Sequence, residues 1–140
     1  MTIQIAPSIL SADFCNLERD LKAISNADLV HVDVMDHHFV PNLTLGEPIV
    51  ARICQVTDLP VDVHLMIEEP GRYIEDFVGA GADLITVHAE SCKHLDRTIA
   101  SIKERGILAG VALNPATPLQ TVEYAVSYTH LRAHETGRNL

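Results

Sequence analysis

The sequence predicts an α/β fold: the first five βα units of a (β/α)8, or TIM, barrel. Three observations carry this reading. Short β-branched runs alternate with helical stretches, which predicts a parallel sheet with crossover helices. Strand starts recur near residues 3, 29, 61, 84 and 108, about one strand plus one helix apart. Polar residues gather at the C-terminal ends of several strands, where barrels of this type place their chemistry. A doubly wound open sheet is the competing architecture. It usually carries a glycine-rich turn after its first strand. Here that turn reads Ser8-Ile9-Leu10-Ser11-Ala12-Asp13 and has no glycine.

The elements follow in order. Ile3–Leu10 reads as a first strand. Ser11 can cap a helix whose apolar face is Phe14, Leu17, Leu21 and Ile24. Leu29–Val34 is a second strand, followed by a long loop over Met35–Gly46 and a short helix around Pro48–Cys54. Val61–Met66 is a third strand. Pro70 opens a helix that runs to Val78 and stops at Gly79. Leu84–His88 is a fourth strand, Leu95–Arg105 a helix stopped by Gly106, and Leu108–Leu113 a fifth strand. Pro118–Ala125 reads as a last helix.

Composition narrows the function. The 140 residues are 47% hydrophobic and 21% charged, which fits a folded domain rather than a disordered chain. No apolar run reaches the length of a membrane span. The net charge of −9 argues against nucleic acid as a partner. Met1–Pro7 lacks the basic and apolar regions of a secretory leader. Cys15, Cys54 and Cys92 lie far apart with no CxxC pair, which predicts free thiols in a reducing, cytoplasmic setting.

Ser8, His31, Asp33, His64, His88 and Asn114 fall at or near strand ends. Residues two apart on a strand share a face, so His31 and Asp33 point the same way, as do His64 and Met66. Neighbouring strands lie about 4.8 Å apart, which lets His31, Asp33 and His64 converge. Two imidazoles and a carboxylate suit one divalent ion: zinc, iron, manganese or cobalt. His88 fits a structural role at its strand end as well as a place in the site. His37-His38 reads as a loop pair rather than a ligand set.

Long stretches resemble the ribulose-phosphate 3-epimerase family. They are Ile5-Ala6-Pro7-Ser8-Ile9-Leu10-Ser11-Ala12-Asp13-Phe14, His31-Val32-Asp33-Val34-Met35-Asp36 with His38-Phe39-Val40-Pro41-Asn42, Asp62-Val63-His64-Leu65-Met66-Ile67, Ala80-Gly81-Ala82-Asp83 with Thr86-Val87-His88, and Leu113-Asn114-Pro115-Ala116-Thr117-Pro118. They keep the family's order over about residues 3–125. His37 departs from it, standing where Gly or Asn is more usual.

The resemblance implies a TIM barrel that interconverts D-ribulose 5-phosphate and D-xylulose 5-phosphate at carbon 3, in the pentose phosphate pathway. It implies that Ser8 and His64 contact the phosphorylated ketopentose, that His31, Asp33 and His64 hold the divalent metal, and that Asp33 is one of two acid/base aspartates. Met35 and Met66 would line the reacting region. It also implies a homo-oligomeric parent enzyme. The chemistry suits these residue types. Removing the carbon 3 proton gives an enediolate whose charge a Lewis acid stabilises, and inversion needs acids on two faces. A related sugar-phosphate 3-epimerase acting on allulose 6-phosphate is an alternative. A non-catalytic metal-binding or self-associating fragment is another.

After Ala125 the pattern stops. Residues 126–140 read as a tail foreign to the family, disordered or from another reading frame. Five units in about 125 residues imply about 200 for eight. The resemblance places the second acid/base aspartate and the phosphate-binding loops in the later units, so this chain alone is expected to have little or no epimerase activity.

Overall fold

The computed structural model describes residues 3–125 and 130–131. A parallel sheet runs through it in sequence order. Its strands are β1 (Val30–Met35), β2 (Val61–Met66), β3 (Leu84–His88), β4 (Leu108–Ala112) and β5 (His130–Leu131). The helices are α1 (Leu17–Ala23), α2 (Glu47–Val56), α3 (Ile74–Gly79) and α4 (Leu95–Glu104). Four strands thus fall where the sequence predicts them, two with identical bounds. β5 pairs only Gly110 with His130 and Val111 with Leu131. It lies within the stretch expected to be a foreign tail, the rest of which falls outside the described residues.

Every residue of β1 and β2 is buried, as expected of parallel strands covered on both faces. The alternation is chemical rather than a matter of exposure. Val30, Val32, Val34, Val61, Val63, Leu65, Ile85, Val87, Ala109 and Val111 join the main apolar cluster. The helices contribute Leu21 from α1, Val50 and Ile53 from α2, Ile74 and Phe77 from α3, and Ile99 and Ile102 from α4. Met35, Met66 and Ala112 are buried too but stand outside that cluster, on the other face with His31, Asp33 and His64.

Three expectations need correction. The first predicted strand is an extended edge rather than a strand. Ile5 O accepts from Asp28 N (3.0 Å), Pro7 O accepts from His31 N (2.9 Å), and a single bridge joins Ser8 to His31. Pro7 has no N–H to give the ladder, and Ser8 then caps a 3-10 turn over Ile9–Ser11. The first helix is likewise broken: a 3-10 turn over Phe14–Asn16, capped by Asp13, precedes α1, and Phe14 is left half exposed. The helix predicted over Pro118–Ala125 is a short 3-10 stretch, Leu119–Val122.

The helix after β2 also differs. Pro70–Arg72 forms a 3-10 turn and α3 starts only at Ile74. The residue that turns the chain after α3 is Gly81 (φ 106°), not Gly79. A Cβ there would combine left-handed strain with a 3.0 Å approach to Cys54 Cβ.

Candidate metal centre

The register of β1 and β2 builds the site. Parallel pairing sets Asp33 opposite His64, His31 opposite Asp62, and Met35 opposite Met66. The period-two alternation then puts all six side chains on one face. His31 Nε2 lies 3.0 Å from Asp33 Oδ1, and His64 Nδ1 lies 3.1 Å from the same oxygen. Ser8 Oγ donates to Asp33 Oδ2 at 2.6 Å, the bridge of Ser8 to His31 having brought the edge segment alongside. The structure thus brings together Ser8, His31, Asp33 and His64, the four residues to which the resemblance gives a substrate or metal role.

Residues beyond these four complete the site. Asp62 Oδ2 lies 2.7 Å from His31 Nδ1. His64 Nε2 lies 2.8 Å from His88 Nε2, with the two rings stacked at 4.9 Å and 23°. Phe39 packs against His88 at 5.0 Å. Asp36 holds that loop in place. Its Oδ1 accepts from His38 N and Phe39 N, and its Oδ2 accepts from Glu68 N. Thr44 ties the loop back to β1 by donating to Asp33 O (2.7 Å) and accepting from Met35 N (3.0 Å).

Of these, Asp62 was findable, since it precedes His64 by two residues on one strand. Its pairing with His31 was not, because register is not written in either strand alone. Asn114 stands beyond β4, its N–H donating to Glu90 Oε1 at 2.6 Å. His37 occupies the left-handed region (φ 62°), which accounts for the Gly or Asn preference at this position; its N–H donates to Asn42 O.

Burial and hydrogen bonding oppose each other here. Burial disfavours a charged imidazole at His31, yet the adjoining Asp33 and Asp62 outweigh it and raise its pKa to about 9. Burial would raise Asp33, but hydrogen bonds from His31, His64 and Ser8 hold its carboxyl well below the usual carboxylate range. An ionised carboxylate is therefore fixed between the two histidine rings.

The donor set fits a divalent ion. Ligand atoms of His31, Asp33 and His64 all lie within 4.8 Å of one another, and all three residues are buried. Donors around one ion at about 2.0–2.2 Å stand roughly 3–3.6 Å apart, close to the spacing seen around Asp33 Oδ1. Each histidine also has a polar partner on its other nitrogen, as metal-bound histidines commonly do.

Fold and site together define a barrel-type α/β protein with a buried His-Asp-His cluster, able to hold a metal ion, on one face of two adjacent strands. Solved structures support the fold. Phosphoribosylanthranilate isomerase from Thermotoga maritima superposes with a TM-score of 0.55 at 18% identity, over 81% of this chain and 56% of its own. Tryptophan synthase alpha chain from Legionella pneumophila gives 0.55 at 13%, over 80% and 50%.

Sequence comparison is more specific. The model of the ribulose-phosphate 3 epimerase family matches residues 4–131, and the chain belongs to that family. It is 60% identical to ribulose-phosphate 3-epimerase of Bacillus subtilis over 124 residues, covering 87% of this chain and 57% of that one. With the Escherichia coli enzyme of the same name it shares 51% over 126 residues, covering 87% and 56%. The chain therefore spans just over half the length of these relatives. The family match passes Ala125 and ends with β5.

Proposed function

We propose that this chain carries the metal-holding half of a ribulose-phosphate 3-epimerase, an isomerase that interconverts D-ribulose 5-phosphate and D-xylulose 5-phosphate. One observation carries the reading: His31, Asp33 and His64 converge, with Ser8 on the far oxygen of Asp33, in a chain of this family. His31, Asp33 and His64 would hold one divalent ion, of zinc, iron, manganese or cobalt type. Such an ion supplies a Lewis acid beside a ketone, which acidifies the neighbouring C–H.

The chain's own groups do the rest. Asp33 is the acid/base group that takes or returns the carbon 3 proton. It keeps one oxygen toward the imidazoles, while the Ser8 hydroxyl holds the other. Ser8 and His64 face the substrate. Met35 and Met66, paired across β1 and β2, give the reacting region an apolar wall. A proton is delivered to the opposite face by a second acid, which the reading places in the later units of the barrel.

No helix among the described residues is long and apolar enough to cross a membrane. Free Cys15, Cys54 and Cys92 and the acidic balance support a cytoplasmic protein that does not bind nucleic acid; a homo-oligomeric parent enzyme rests on the family resemblance alone. A coupled assay with D-ribulose 5-phosphate tests the proposal. A chain continued to the length of its relatives is expected to be active and to lose roughly 10²–10⁴-fold in turnover on Asp33→Asn, the range for a positioned acid/base group. The 140-residue chain alone is expected to show little activity. An inactive continued chain, or one indifferent to Asp33→Asn, overturns the proposal.

A further inference from the structure

The two histidines that flank Asp33 do not present the same nitrogen. His31 turns Nε2 toward Asp33, and His64 turns Nδ1 toward the same carboxylate oxygen. Their outer nitrogens meet different groups. His31 Nδ1 meets the carboxylate of Asp62 at 2.7 Å, and His64 Nε2 meets the imidazole of His88 at 2.8 Å. A metal takes the unprotonated nitrogen of a neutral imidazole, and the hydrogen bond made by the other nitrogen decides which one that is.

We infer that Asp62 and His88 are positioning residues that lock the two ligand imidazoles into opposite tautomers, so that His31 offers Nε2 and His64 offers Nδ1 to one ion. This rests on the metal reading of the site.

The chemistry follows atom by atom. Asp62 is a carboxylate and only accepts, so His31 must donate through Nδ1–H, which leaves Nε2 as the nitrogen that gives up its proton to the ion. A free imidazole side chain in water favours the proton on Nε2, the nitrogen His31 has to offer. Asp62 therefore reverses an intrinsic preference. His64 must instead carry its proton on Nε2 and donate it to His88 Nε2. That nitrogen has to be the acceptor, so His88 is neutral with its own proton on Nδ1. Glu90 Oε2 stands 3.4 Å from His88 Nδ1 and favours a proton there.

Strand register supplies the placement. Asp62 pairs with His31 across β1 and β2, and His88 closes β3, with Phe39 against its ring. Asp62 and His88 are both buried, 8% and 3% exposed, so water competes little for these bonds. Stacking at 4.9 Å and 23° fixes the plane of His64 as well as its proton.

The direct test needs no substitution. Zn2+ is titrated into the 140-residue chain labelled with 15N at histidine, and long-range proton–nitrogen spectra assign each ring. The expected pattern is zinc on Nε2 with a proton on Nδ1 for His31, the reverse for His64, and a neutral Nδ1–H ring for His88. Zinc on the same nitrogen in both ligands, or a doubly protonated His88, overturns the inference and leaves the metal reading intact. A chain that takes up no Zn2+ overturns the metal reading and the inference with it. Affinity gives a second measurement. Asp62→Asn and His88→Gln are each expected to weaken Zn2+ binding about 10–100-fold against a competing chelator, the range for outer partners of metal histidines. Thr98→Ser, whose hydroxyl bonds to His94 O, is expected to leave the affinity unchanged. Folded Asp62 and His88 variants with wild-type affinity overturn the inference.

Discussion

The two faces of the same strands solve opposite problems. One face of β1 to β4 is Val30, Val32, Val34, Val61, Val63, Leu65, Ile85, Val87, Ala109 and Val111, all in the apolar cluster with the helices. The other carries His31, Asp33, Asp62, His64, Thr86 and His88, just as buried. Apolar side chains gain by leaving water whatever their neighbours' orientation, because the hydrophobic effect is not directional. Buried polar groups lose unless each finds a partner at the right angle. The first face therefore tolerates exchange among apolar residues of similar volume, and the second does not. Stability is concentrated on one face and chemistry on the other.

Substitutions should separate the two. Ile85→Ala opens a cavity on the apolar face and is expected to cost about 2–5 kcal/mol of stability with Zn2+ affinity unchanged. Denaturant unfolding and metal titration on the same samples check this. A large loss of Zn2+ affinity in the folded variant would break the division.

The polar face should respond the other way. Saturation at 100 times the dissociation constant is expected to stabilise the chain by about 2.7 kcal/mol, and chelation should remove that gain. Asp33→Asn should abolish the zinc-dependent part of the thermal shift. A shift of full size in that variant would remove Asp33 from the ligand set. Ser8→Ala deletes one donor to a buried carboxylate and should cost about 1.5–3 kcal/mol, read from unfolding of the zinc-free chain.

The sequence carried the two faces unequally. The apolar face was legible as β-branched runs, and Val61–Met66 and Leu84–His88 came out with identical bounds. His31, Asp33 and His64 were legible because period two and strand adjacency suffice to gather them. The roles of Asp62 and His88 were not legible, since they depend on which residue faces which across a strand pair. The first strand does not form, although Ile3-Gln4-Ile5 has strand composition, because Pro7 and the Ser8 cap end its pairing. Phe14 fitted a helical spacing, but Asp13 caps a separate 3-10 turn before the helix begins.

Register also predicts a constraint that composition hides. Gly110 on β4 lies opposite Thr86 on β3. A Cβ on Gly110 would sit 2.4 Å from Thr86 Oγ1, 3.2 Å from its Cβ and 3.4 Å from its Cγ2. Thr86 is 1% exposed and β-branched, so it has neither the space nor the rotamer freedom to withdraw. The glycine is required by close approach rather than by backbone angle. Gly110→Ala should cost about 1–3 kcal/mol through overpacking. Thr86→Ala removes the two atoms at 2.4 and 3.4 Å, so adding it to Gly110→Ala should recover part of the loss, a favourable coupling of about 0.5–1 kcal/mol or more in a double-mutant cycle. Strict additivity of the two substitutions would mean that β3 and β4 separate to admit the methyl, and that the polar face is less rigidly held than the apolar one.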